Sequence, residues 1–84
     1  MKLGELFNDS VARILDQSVI VGNMRQTIFT LSELTGLSAK TVRKAVNKLV
    51  KLGLMEQFQD DKTKYYRFKT QKIFHLIKFI EEGA

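Results

Sequence analysis

The sequence contains no cysteine. Disulfides and thiolate metal sites are therefore excluded, and a reducing compartment is compatible with the chain. No apolar run approaches the ~20 residues of a membrane span. The opening residues, MKLGELFNDS, carry no long apolar region of the signal-peptide kind, so the expectation is a cytoplasmic protein with no membrane partner. There is a single histidine, His75, and no cysteine or carboxylate cluster accompanies it. The acidic residues are scattered, with Asp60-Asp61 in a turn, and neither a Gly-rich phosphate loop nor a nucleophile motif is present. The expectation is no enzyme, no cofactor and no metal. A local absence says more. From Leu34 to Met55 there is no Asp or Glu, yet the same stretch holds five cations, Lys40, Arg43, Lys44, Lys48 and Lys51.

What is present allows one domain, residues 1–84, with one small core. Apolar residues make up 44% of the 84, enough for a folded globule rather than a disordered chain. The net charge of +5 favours a polyanionic partner, but many small basic proteins have none, so the placement of the charges must decide.

In chain order, residues 3–18 predict a helix, with Leu3, Leu6, Phe7, Val11, Ile14 and Leu15 on one side. Asn8, Asp9 and Ser10 are weak helix formers within it, which places an alternative start near Asp9. Val19, Ile20 and Val21 leave that face and precede the turn signal Gly22-Asn23, so 19–25 reads as a connection with some buried side chains. Residues 26–29 read as a short strand. Thr30 and Glu33 stand in the spacing of a capping box, predicting a short helix from Leu31 to Thr35. Gly36 supplies the positive φ of a sharp turn. Leu37 sits in the angle between two helices. Ser38 is an N-cap for a helix running to Leu52, with Gly53 at C′. At about 100° per residue, Val42, Ala45, Val46 and Leu49 share the inner face of that helix. Lys40, Lys44, Asn47 and Lys51 share the outer one, flanked by Thr41, Arg43 and Lys48. Two extended runs, 54–59 and 64–69, flank the polar tetrad Asp60-Asp61-Lys62-Thr63 as a hairpin, with Phe58, Tyr66 and Phe68 inward and Gln57, Gln59, Tyr65 and Arg67 outward. Residues 70–83 predict a final helix capped by Thr70.

This order resembles the winged helix-turn-helix superfamily over residues 9–69: an α+β, mostly α fold with the helix-turn-helix at 30–53, the wing at 54–69 and a C-terminal helix. The residues that carry the likeness are Leu31, Ser32, Gly36, Leu37, Val42 and Ala45. The run from Ser38 to Arg43, followed by Leu49 and Leu52-Gly53-Leu54, is similar to prokaryotic regulators of the MarR and ArsR kind. Ser32 stands where such motifs often have alanine, and Asp60-Asp61 stands at a wing tip that is more basic in many relatives.

The resemblance implies double-stranded DNA as partner, with the third helix in the major groove, the groove that presents a distinct pattern for each base pair. Lys40, Thr41 and Lys44 would then reach base edges and Asn47 an adenine. Arg43, Lys48 and Lys51 would meet phosphates, and Ser38 with the helix-start amides would hold another. In the wing, Lys62, Lys64 and Arg67 would reach the backbone or the minor groove. The bland alternatives are a solvated lysine face and an ordinary hairpin.

The last helix carries Ile73, Phe74, Leu76, Ile77, Phe79 and Ile80 over an arc of about 220°, where about 100° suffices for a helix lying on a small core. The excess predicts a homodimer through this helix, and with it a transcriptional repressor acting by promoter occupancy, nucleoid-associated if cellular. A small-molecule effector is neither specified nor excluded. A replication-initiation, segregation or chromatin-architectural protein is the first alternative, and a protein-interaction module without a DNA role is the second.

Overall fold

The computed structural model describes the backbone of residues 9–83 and the side chains of residues 9–79. Leu3, Leu6 and Phe7 of the expected first helix lie outside the described residues. Helix α1 spans Asp9–Asp16 and buries Val11, Ile14 and Leu15. The segment read as a connection instead winds one helical turn, α2 (Ser18–Val21). Its backbone is satisfied locally, Val21 N–H bonding to the Gln17 carbonyl at 2.9 Å and Gly22 N–H to the Ser18 carbonyl at 3.0 Å. Those bonds outweigh the small helix penalty of β-branched residues. Val19 and Ile20 are exposed rather than buried.

The strand expected over 26–29 shrinks to a single bridge, Gln26 with Tyr66, because a helix begins immediately after it. In α3 (Ile28–Thr35) the cap is Thr27, in a capping box with Thr30. Thr27 Oγ1 accepts from Thr30 N–H at 3.1 Å, and Thr30 Oγ1 accepts from Thr27 N–H at 2.9 Å. The box expected at Thr30 and Glu33 thus lies three residues upstream. The earlier start brings Ile28 against the core and leaves Leu31 fully buried. Ser32 Oγ–H donates to the Leu37 carbonyl, an extra bond across the turn that alanine at this position lacks. Gly36 has φ +74°, and a Cβ there would meet nothing within 4 Å. Substitution is therefore opposed by backbone strain alone. Gly36→Ala is expected to lower stability in a denaturant titration by about 1–2 kcal/mol, and Gly36→Asn by less.

Helix α4 (Ala39–Lys51) buries Val42, Ala45, Val46 and Leu49, each large aliphatic contributing about 1.5–3 kcal/mol on burial. Its end is a Schellman motif. Leu54 N–H reaches the Leu49 carbonyl at 2.9 Å and Gly53 N–H the Val50 carbonyl at 3.0 Å, with Gly53 at φ +77°. The chain then turns into β1 (Met55–Asp60) and returns in β2 (Thr63–Phe68). Asp61, at φ +56°, makes the tight reversal.

The register pairs Met55 with Phe68, Gln57 with Tyr66 and Phe58 with Tyr65. Directly opposed residues share a face, so Met55, Tyr66 and Phe68 point to the core while Phe58 lies on the outer face with Tyr65 and Arg67. This corrects the expectation that Phe58 faces inward and Gln57 and Gln59 lie on the face of Tyr65. Helix α5 spans Thr70–Gly83. Its first intrahelical bond, from Ile73 N–H, is accepted by the Lys69 carbonyl at 3.0 Å. Lys69 rather than Thr70 is therefore the N-cap. Of the apolar residues on α5, Ile73 is buried in the core and Leu76 and Ile77 pack partly against it, whereas Phe74 and Phe79 are 65% and 73% exposed. The side chain of Ile80 lies outside the described residues.

Candidate nucleic-acid interface

The outer surface of α4 is set by its inner one. Because Val42, Ala45, Val46 and Leu49 are buried against α1, α3 and β1, the helical repeat turns Lys40, Arg43, Lys44, Asn47, Lys48 and Lys51 to solvent, and all six are exposed. Among the described residues, no carboxylate lies within ion-pairing distance of any of the five cations. Like charges stand at helical spacing in the pairs Lys40/Lys44, Lys44/Lys48 and Lys40/Arg43, an arrangement that destabilises an isolated helix by about 0.2–0.5 kcal/mol per pair. The surface therefore holds uncompensated positive charge at some expense to the fold.

At the start of α4, Ser38 Oγ accepts from Thr41 N–H at 3.2 Å, and its hydroxyl donates to Thr41 Oγ1 at 2.9 Å. The Val42 N–H bonds to the Ser38 carbonyl at 2.9 Å. Among the described residues, the amides of Ala39 and Lys40 are then the first-turn donors that remain for an anion, while Ser38 itself is engaged in the cap. Thr41 is half-buried and, with Lys44 and Lys48, lines an open notch of about 400 Å³ against Ser10 and Val11 of α1. Thr41 thus lies at the α1 edge of the helix rather than on its outermost stripe. Lys40 and Asn47 are fully on the exposed outer face, and Lys44 and Lys48, also exposed, flank the notch.

In the wing, Lys62 and Lys64 are exposed with no carboxylate partner among the described residues. Arg67 is different. Its Nη2 donates to Glu56 Oε2 at 2.6 Å, and its guanidinium lies 5.0 Å from the centroid of Phe58. Lys69 Nζ approaches Glu56 Oε1 at 3.8 Å. The hydrogen bond from Arg67, with the positive charge of Arg67, Lys69 and Lys72, holds the Glu56 carboxyl below the ordinary glutamate value despite partial desolvation. Arg67, expected to reach DNA, is held at the base of the wing. Arg25, not singled out from the sequence, lies 5.6 Å from the Phe58 centroid and 6.0 Å from that of Tyr65. The register of the hairpin brings the two rings to the outer face, but no local pattern in the sequence marks Arg25 as their partner.

Among the described residues, no three His, Cys, Asp or Glu side chains gather as metal ligands, and no helix is long and apolar enough to cross a membrane. His75 is exposed on α5 and meets Phe74 edge-on at 6.4 Å.

Two helices joined by the Gly36 turn, followed by a two-stranded hairpin, define a winged helix-turn-helix domain. Solved structures of the same fold superpose on most of the chain. A possible transcriptional regulatory protein (fragment 1–100) from Mycobacterium bovis matches with TM-score 0.73 at 22% identity, over 94% of this chain and 82% of that one. A MarR family transcriptional regulator from Silicibacter pomeroyi matches with TM-score 0.70 at 19% identity, over 94% of this chain, which spans 56% of that protein's length. No family model and no curated protein matches the sequence. The likeness establishes the fold, and what the domain binds must be argued from its own side chains.

Proposed function

We propose that the protein binds double-stranded DNA as a homodimer and regulates transcription by occupying its target site. The observation that carries this reading is the outer face of α4: five cations without a carboxylate partner among the described residues, on a helix whose first two amides are open. A face kept basic at the expense of helix stability has its natural counter-charge in a polyanion. The two structural neighbours, both described as transcriptional regulators, agree with it.

In this reading α4 lies in the major groove. Lys40 and Lys44 reach base edges or the adjoining phosphates, and Asn47 reads an adenine through its N6 and N7. Arg43, Lys48 and Lys51 neutralise phosphates, with Lys62 and Lys64 doing so from the wing. Affinity then comes mainly from phosphate contacts and sequence choice from very few groups. Dimerisation is supported by α5, where Phe74 and Phe79 are exposed beside the half-buried Leu76 and Ile77.

Selection of bound DNA from a random pool, repeated at two salt concentrations, tests the proposal. The expected result is a palindromic consensus whose affinity falls steeply with salt. Binding without a consensus would replace the regulator by an architectural protein, a reading favoured by the preponderance of lysine on α4. Absence of binding at moderate salt would remove both.

A further inference from the structure

The exposed Arg25 lies against the outer face of the wing. Three observations converge on it. Gln26, 8% exposed, exchanges two backbone bonds of 2.7 Å each with Tyr66, so the segment before α3 is stitched to β2. One residue earlier, Arg25 places its guanidinium against both outer-face aromatics, 5.6 Å from Phe58 and 6.0 Å from Tyr65. Arg67 lies 5.0 Å from Phe58 and is itself held by Glu56 at 2.6 Å. Phe58 thus meets two guanidiniums, one from its own hairpin and one from the segment that leads into the helix-turn-helix.

A two-stranded ribbon alone is marginally stable. The direction in which its tip points is set by what grips its faces. Here the inner face is gripped by the core through Met55, Tyr66 and Phe68, and the outer face by Arg25. We infer that Arg25 is a positioning residue: it fixes the pose of the wing relative to α4, so that Lys62 and Lys64 at the tip engage the DNA backbone while α4 occupies the groove. The inference rests on the DNA-binding reading for its functional half. Its structural half, the fastening of the hairpin, stands without it. Arg25 acts through cation–π contact with two rings at once, and lysine, a compact charge on a flexible stem, does not reproduce that.

The test combines affinity with hydrogen exchange. In an otherwise unaltered protein, Arg25→Gln and Arg25→Lys are both expected to weaken binding to the selected DNA about fivefold. In a Lys62→Gln/Lys64→Gln background the same changes are expected to have no further effect, because the tip then has nothing to deliver. Equal losses in both backgrounds, or full activity of Arg25→Lys, would overturn the inference and make Arg25 a direct phosphate contact. The amide of Tyr66, which bonds to Gln26, is expected to exchange about fivefold faster in Arg25→Gln than in the wild type, with amides of α4 unchanged. An unchanged Tyr66 amide would overturn the fastening itself. Should the wild type bind no DNA, the functional reading falls, and the exchange measurement still decides whether Arg25 holds the wing.

Discussion

Replacing Lys40 and Lys44 together by glutamine is expected to make the protein more stable and a much poorer ligand for DNA. The two signs follow from one arrangement. The substitution removes the like-charged pairs Lys40/Lys44, Lys44/Lys48 and Lys40/Arg43, and removes a cation from the first turn of α4, where the helix macrodipole is positive. Neither lysine has an acidic partner among the described residues, so no ion pair is lost in exchange. The expected gain is about 0.5–1 kcal/mol at low ionic strength, read as a higher denaturant midpoint, and it shrinks as salt screens the repulsion.

Binding moves the other way. Loss of two phosphate neutralisations lowers the magnitude of the salt slope by about 1.8 and, with any lost base contact, weakens affinity about a hundredfold at ~0.15 M salt. Equal affinity for wild type and variant would show that α4 is not the DNA-binding helix. A variant that loses stability along with affinity would show that the lysines pack rather than bind. Only a binding role for an otherwise unfavourable charge cluster predicts opposite signs.

That cluster was legible in the sequence because several levels agreed over one short stretch. Ser38, Gly36 and Gly53 fixed the ends of α4 and the turn before it. Val42, Ala45, Val46 and Leu49 fixed its rotation, and its rotation fixed which charges face outward. Where two local solutions were nearly equivalent, the sequence alone did not choose between them. Thr27, Thr30 and Glu33 recur at a spacing of three, so a capping box fits at either pair. The choice of Thr27 with Thr30 was made by packing of Ile28 and Leu31, which is a tertiary effect. The one-turn helix at Ser18–Val21 likewise formed against the β-branched character of its residues.

The wing shows a different failure. Its tetrad already opposes Gln59 to Lys64, and this places Phe58 opposite Tyr65, so the outer aromatic face was available from register alone. Arg25 was not, since a contact between a loop residue and a strand distant in sequence leaves no local pattern. The ion pair that engages Arg67 is likewise a cross-strand contact, with Glu56 eleven residues away, whereas the bond between Ser38 and Thr41 is local and follows from the N-cap itself.

Substituting Phe74 and Phe79 by glutamate is expected to convert a dimer into a folded monomer, with loss of tight binding to a palindromic site. Both rings are largely exposed on α5, so the protomer does not rely on them, and surface changes of this kind usually alter stability by less than about 0.5 kcal/mol. Ile73 is a contrasting control. It is 3% exposed within its own protomer, so Ile73→Ala is expected to cost about 2–5 kcal/mol of folding stability whether or not a partner is present, and a glutamate there tests folding rather than association. The reason to expect a second copy is the geometry of the helix. Ile73 anchors its first turn in the core, while Leu76 and Ile77, one turn further along, are only half covered, with Phe74 and Phe79 exposed on either side. A self-complementary contact across a two-fold axis covers such a face in both copies at once and sets two α4 helices against successive turns of the major groove. Linking two weak half-site contacts raises affinity by about a hundredfold or more. The Phe74→Glu/Phe79→Glu variant is therefore expected to lose that factor on a full site and to match the wild type on an isolated half-site. Sedimentation and binding to both DNAs measure this directly. A wild type that sediments as a monomer at micromolar concentration, or a variant that binds full and half sites as the wild type does, would leave α5 with no role in how the DNA is read.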